Sequence, residues 1–169
     1  MLRDIGMLLA RATVGLAFAS HGAQKAFGAF AGPGPTAAAG LMEGLGFKPG
    51  SRYATLSAYT ELAAGSMLAL GAGGPLAPAA IVSVMTVAMI SVHAKNGFFA
   101  QKGGVELGVL YGAAAVAIAM GGYGRLSLDV LLGSDDSPDE GILTTVALIG
   151  GAIAAAVVLA RRDVPKAGE

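Results

Sequence analysis

The sequence predicts an all-α integral membrane protein, a four-helix transmembrane bundle plus a fifth C-terminal transmembrane helix. Three observations predict it. Of 169 residues, 54% are hydrophobic and only 13% are charged, against about 25% charged in soluble domains, and the mean hydropathy is +0.67. Five separate segments meet the length requirement of a bilayer core about 30 Å thick, which takes about 20 mostly apolar residues in a helix. The 27 glycines and the absence of Trp point to an Ala/Gly-rich bundle of closely packed helices.

The same composition excludes several function classes. A soluble enzyme and a disordered chain both disagree with the hydropathy. Eleven Lys+Arg balance eleven Asp+Glu, so no net charge favours nucleic acid. There are no cysteines, which removes disulfides, CxxC chemistry, thiolate nucleophiles and sulfur-ligated metals. A redox role therefore needs a bound cofactor or a partner's thiols.

Taken in order, the first span covers about 5–27 and ends in GAFAGPGPT. Ala17-Phe18-Ala19 imitates the cleavage site of a secretory signal, but Arg11 would split its apolar region, so a retained helix is expected. Residues 36–45 are too short to span and read as an interfacial or re-entrant helix, capped by Thr36 and ended by Gly46 and Pro49. The second span, 53–71, closes on GAGGP, and the third, 76–95, on NGFFAQKGG. Gly and Pro clusters of this kind terminate helices, because Pro lacks a donor and Gly tolerates positive φ. The fourth span, 105–121, carries Gly104, Gly108 and Gly112 at small-xxx-small spacing, which suits a closely approaching neighbour. Gly121-Gly122-Tyr123-Gly124-Arg125 then reads as a loop, with no preceding strand to support a phosphate cradle. Residues 1–130 thus form one membrane domain, 131–140 an acidic loop, 141–160 an uncharged, lipid-facing fifth span and 161–169 a basic tail.

Charge asymmetry sets a topology. Lys25, Lys48, Arg52, Lys95, Lys102, Arg161, Arg162 and Lys166 fall on one side, while Arg3 and Arg125 share the other with Asp129, Asp135, Asp136, Asp139 and Glu140. By the positive-inside rule the basic side is cytoplasmic and the N-terminus is outside.

Ionisable residues inside a span cost at least about 2.5–3.5 kcal/mol, so each needs a reason. Asp4, Arg11, Phe18 and Lys25 recur every seven residues, with His21 on the same face of the first helix. Glu61 lies near the middle of the second span, at a depth between Arg11 and His21 and within reach of either. His93, Lys95 and Asn96 end the third span, and Glu106 opens the fourth. Four helices are therefore expected to bring polar groups to one region in the basic-side half. The candidate catalytic residues are Glu61, His93 and Glu106; the candidate cofactor-binding residues are Arg11, His21, Lys25, Asn96 and Phe98. No metal site is expected. Other readings stand beside these. Lys25, Lys95 and Glu106 fit side chains that snorkel to the interface, Arg11 with Glu61 fits a structural ion pair, and each His fits a packing residue.

Arg11 with His21-Gly22-Ala23-Gln24-Lys25 resembles the first-helix signature of the DoxX family. Further matches are Glu61 with Gly65, Leu68 and Gly71, then His93 to Phe99, Gly104-Val105-Glu106, and Gly122 to Asp129. The resemblance covers roughly residues 3–130, and the fifth span goes beyond it. It implies a four-helix membrane bundle related to the DoxD-type subunit of thiosulfate:quinone oxidoreductase. Such bundles serve as redox partners, as scaffolds for sulfur and oxidative-stress enzymes, or as assembly factors.

The expected function is a redox-linked subunit of a bacterial-type plasma membrane. It would bind a quinone or similar amphipathic molecule in an intramembrane polar pocket and work with a partner oxidoreductase. His21, Lys25 or His93 would donate to the head group and Glu61 or Glu106 would relay protons. Phe27, Phe98 and Phe99 would wall the slot. The expected partners are the lipid bilayer and a redox enzyme or a second copy of the chain. The alternative is a non-catalytic scaffold or assembly factor. Haem or metal binding through His21 and His93 is disfavoured by the neighbouring cations Lys25 and Arg11, and a small transporter by the lack of an inverted repeat.

Overall fold

The computed structural model describes residues 1–134 and 140–163, with the Glu140 side chain outside the description. Among the described residues every regular element is helical. Asp135, Asp136 and Asp139 of the acidic loop and Lys166 of the basic tail lie outside the described residues.

Helix α1 spans Leu2–Phe27 and stops at Gly28, whose left-handed backbone (φ 68°) returns its N–H to the last turn. A short tight turn, Ala29–Ala31, leads to α2, Gly34–Gly44. The expected Thr36 cap is not used. Pro33 occupies the cap position and Pro35 the first turn, where its preset φ starts the helix without a side-chain bond. Helix α3, Gly50–Leu70, ends at Gly71, and α4 begins at Leu76 after Pro75. The α-helical part of α4, Leu76–Ala88, widens into a π turn at Met89–His93 and tightens again at Ala94–Asn96. Helix α5 covers Glu106–Gly121, α6 is a single turn at Leu128–Leu131, and α7 covers Glu140–Ala160.

Packing follows the small residues. The most extensive contact joins α1 to α3, running antiparallel. A Cβ placed on Gly15 would strike the backbone of Gly65 and Ala69, one on Gly22 that of Ala58 and Leu62, and one on Gly65 that of Gly15 and Ala19. Only glycine permits this approach. Helix α4 packs between α3 and α5, and α2 lies against α3 and α1. The core of Phe18, Leu68, Ile81, Ala115 and Ile118 fills the centre of α1, α3, α4 and α5.

The glycine seam expected on α5, whose neighbour the sequence leaves open between this chain and a second copy, receives no close helix backbone within this chain. Gly104 sits in the loop before the helix, against Gly97 and Phe98; Gly108 accepts the flexible Met89 side chain; Gly112 meets nothing within 4 Å. Within this chain the close backbone approach belongs to α1 and α3 instead.

Helix α7 lies outside the other four, against α4. Gly151 rests on the Ala79 carbonyl, and Ala155 and Thr144 are buried, while Ile142, Val146, Ile149, Ile153 and Val157 face outward. Its C-terminal end is tied to the loop between α2 and α3. Asp163 N–H donates to the Gly46 carbonyl at 2.8 Å, Arg162 donates to the Leu45 carbonyl, and Lys48 pairs with Asp163 at 3.0 Å.

Among the described residues two helices, Leu76–Asn96 and Gly141–Ala160, are long and apolar enough by composition to cross a membrane, and α5 is apolar but shorter. Helices α1 and α3 have the length but carry the polar groups: Arg3, Asp4, Arg11, His21 and Lys25 on one, Arg52, Glu61 and a series of hydroxyls on the other.

Candidate functional site

Three separate polar networks emerge where one convergent cluster is expected from the sequence. The first joins α1 and α3. Glu61, 1% exposed, takes an ion pair from Lys25 through its Oε1, which also accepts the Ser57 hydroxyl at 2.7 Å. Lys25 Nζ lies 3.3 Å from the same hydroxyl oxygen. Ser57 stands one turn before Glu61, so α3 itself supplies the carboxylate and its hydroxyl donor. Lys25 keeps 28% of its side chain exposed and so connects the buried carboxylate with the basic end of the bundle. The other carboxylate oxygen, Glu61 Oε2, is buried without a hydrogen-bond partner among the described residues.

The same helix, α1, also carries an aromatic cluster with α5. Tyr111 of α5 leans on Phe18 (5.6 Å between ring centroids) and meets the edge of His21 (6.1 Å). His21 is exposed and lies one turn from Lys25 along α1. Tyr111 was not among the residues the sequence singles out. Its signal was its position one turn after Gly108 and Leu107, which reads equally as core.

The second network belongs to Arg11, and it differs from the structural ion pair with Glu61 that stood as one reading of the sequence. Arg11 is buried (1% exposed) and donates to the carbonyls of Ala69, in the last turn of α3, and of Leu126. The negative end of α3 thus takes the place of a carboxylate partner. Fourteen residues separate Arg11 from Lys25, about 21 Å along the helix, which explains why the two cations serve different ends. Above Arg11 the chain is closed by backbone contacts. Asp129 accepts the N–H groups of Gly73 and Gly74 at 3.0 and 2.7 Å, and Asp129 N–H donates to Gly71. The Tyr123 hydroxyl donates to the Gly74 carbonyl. Burial, reinforced by Asp129, pushes the Tyr123 pKa up, so the phenol remains a donor. Gly71 (φ 68°) is required here twice over, since a Cβ would strike both Ser127 and the Arg11 guanidinium.

The third network holds the loop between α4 and α5. His93 Nδ1–H donates to the Gly103 carbonyl at 2.6 Å, and Asn96 donates to the same oxygen at 3.1 Å. The Glu106 carboxylate accepts the Ala100 N–H at 2.7 Å. Phe98 is exposed and stacks edge-on against Phe99 at 5.5 Å. Among the described residues no hydrogen bond or ion pair links His93, Asn96 or Glu106 with Glu61. The direct bonds of these residues thus stay within the loop, and none of them joins the loop to the α1–α3 network. The loop reverses tightly, so its backbone donors and acceptors capture the nearest polar side chains.

A groove of about 600 Å³ lies elsewhere, between α3 and α4, and is lined by Leu56, Tyr59, Thr60, Met67, Leu76 and Ala80 among others. It occupies the outward face of α3, on the side away from Glu61 and from α1.

Neither a curated protein nor a solved structure matches the chain. A family model, DoxX, matches residues 6–94, just over half of the chain, from the first turns of α1 through the π turn of α4. It includes Arg11, His21, Lys25, Glu61 and His93, and it ends before Glu106 and the Gly122–Asp129 segment. The chain belongs to the DoxX family of membrane proteins.

Proposed function

We propose that this protein is a redox-linked membrane subunit that binds a quinone or similar small amphipathic molecule and works with a partner oxidoreductase. In this reading α1, α3, α4 and α5 cross the bilayer as a four-helix bundle and α7 adds a fifth crossing. The basic end faces the cytoplasm of a bacterial-type inner membrane.

The observation that carries the reading is the buried Glu61 carboxylate, held by Lys25 and Ser57 with one oxygen left unpartnered among the described residues. A buried carboxylate without a full set of partners is costly as mere structure and suited to holding a proton. The neighbouring residues of α1 and α5 suit a quinone head: Lys25 and His21 would be donors at its carbonyls, and Tyr111 would offer a ring face near His21. A quinone, when bound, accepts two electrons and two protons. Glu61 would hold a proton at Oε2, Ser57 would fix the orientation of the carboxylate, and Lys25 would balance its charge.

Glu61→Gln keeps the shape of the side chain and removes its charge. The expected result is loss of quinone binding or quinone-dependent turnover in purified, folded protein, with turnover measured alongside the partner enzyme. Unchanged quinone affinity in Glu61→Gln and in Lys25→Met removes the proposal.

A scaffold or assembly role is the second reading, favoured by the loop network. His93, Asn96 and Glu106 are all engaged in holding residues 97–106 in shape, as a docking loop requires. Exposed Phe98 and Phe99 with Lys95 and Lys102 would then meet the partner. A partner that co-purifies with the Glu61→Gln variant and is lost on replacing Phe98 and Phe99 favours this second role.

A further inference from the structure

Three buried side-chain polar atoms have no partner among the described residues: Glu61 Oε2 on α3 and Ser91 Oγ on α4 in the basic half of the bundle, and Arg11 Nε on α1 at the far side of the apolar core. Ser91 sits inside the π turn Met89–His93, where the helix widens. Such turns recur at functional sites, and buried polar atoms of this kind are satisfied by internal water when room exists. Lys25, hydrogen-bonded to Ser57 and paired with Glu61, is half-buried, as is Ser57, so the network is open to solvent only in part.

The opposite direction is closed. Towards the other end the interior is filled by Phe18, Leu68, Ile81, Ala115 and Ile118, none more than 4% exposed. Beyond them lies Arg11, buried and, among the described residues, without a carboxylate within 4 Å. A dry apolar plug followed by a fixed positive charge opposes the passage of protons and other cations. The charged group in contact with Glu61 is Lys25 from α1; His21, one turn from Lys25, meets Tyr111 of α5. Residues Leu76–Ala88 of α4 contribute none, and Glu43 of α2 is engaged with the Gly50 N–H.

We propose that water reaches Glu61 from the basic end only, past Lys25 and Ser57, so that this carboxylate exchanges protons with one side of the membrane. The step is a simple transfer: hydronium arriving from the basic end gives its proton to Glu61 Oε2 and leaves as water, and the ion pair with Lys25 is released as the carboxylate loses its charge. This rests on reading Glu61 as a proton-handling group, but the passage does not depend on quinone.

The natural chain has no cysteine, so single-cysteine variants report accessibility without background. Ser57→Cys, Ser91→Cys and Leu68→Cys in the full-length protein are exposed to a charged methanethiosulfonate reagent in right-side-out and in inverted vesicles. The expected result is reaction of Ser57→Cys and Ser91→Cys only when the reagent meets the face carrying Asp163, with Leu68→Cys silent from both faces. Reaction after denaturation shows that each thiol is intact. Ser57→Cys silent from both faces means a dry ion pair and overturns the inference, and reaction from the opposite face overturns its sidedness. If Ser57→Cys does not fold, Ser91→Cys carries the same two outcomes. Quinone affinity of Glu61→Gln is a separate measurement, so failure here and failure of the quinone reading are told apart.

Discussion

Lys25 and Arg11 show how differently one helix can accommodate two cations. Lys25 answers a carboxylate, and Arg11 answers the carbonyls that end another helix. Removing one member of a buried ion pair leaves the other charge uncompensated, at a cost of about 3–5 kcal/mol, whereas replacing both with apolar residues is often neutral. Lys25→Met is therefore expected to lower the unfolding midpoint in detergent strongly, and Lys25→Met with Glu61→Met to recover most of the loss. If the double variant is no better than the single, the pair is not the coupled unit described here. Arg11→Lys is expected to destabilise as well, because an ammonium cannot hold two divergent carbonyls in the planar fork of a guanidinium. Asp4, outside the spans, gives a pH-dependent case. The Arg125 N–H, followed by the N-terminal amine, holds its carboxyl below the ordinary value of 3.8. A depressed folded-state pKa adds stability that is present above the unfolded value and is lost as pH falls through the folded one. Hydrogen exchange at Gly122–Arg125 should therefore accelerate as pH is taken below about 4 after intrinsic rates are removed, and Asp4→Asn should abolish that change.

At the scale of elements, the α1–α3 seam is the feature least tolerant of added volume. A side chain on Gly22 or Gly65 meets backbone, which cannot move aside as a flexible tip can. Gly22→Leu is expected to cost more than the about 1–3 kcal/mol typical of overpacked cores and to prevent assembly of folded protein. Gly40, inside α2, is the control: a Cβ there meets nothing within 4 Å, and Gly40→Ala should stabilise by about 0.5–1 kcal/mol through helix propensity alone. Gel filtration and thermal unfolding of the two variants check the contrast. This seam also marks the limit of what the sequence discloses. The all-helical class is legible because apolar runs and Gly/Pro breaks are local signals. The choice among glycine patterns is not, since Gly15, Gly22 and Gly65 acquire meaning only when two distant helices are aligned. For the same reason Lys25 and Glu61 can be named as candidates from their place in apolar helices, while their pairing cannot. The partners of Arg11, His93 and Glu106 are backbone groups, which carry no residue-specific mark.

For the whole molecule, the connections define two ends. Gly71–Gly74 meets Tyr123–Asp129 at one, and Leu45–Lys48 meets Arg162–Asp163 at the other. The chain passes between them along α1, α3, α4 and α5, and α7 ends where α1 does. An odd number of passages puts Met1 and Asp163 at opposite ends. If each passage is a membrane crossing, the two termini lie on opposite faces of the bilayer. Lys48, Arg52, Lys95, Lys102, Arg161 and Arg162 gather at the end of Asp163, and under the positive-inside rule the proposed orientation has that end in the cytoplasm. Green fluorescent protein fused to the C-terminus should therefore fluoresce in intact bacteria, because it folds on the cytoplasmic side. An N-terminal epitope should be cut by protease added to intact spheroplasts. Both tags on one face would mean that an odd set of these helices does not cross. Exchange of the two faces would instead preserve the bundle and reverse the side from which Glu61 is reached. Neutralising Lys95, Lys102, Arg161 and Arg162 together should weaken or invert the orientation, since those charges, and not net charge, are what the rule counts.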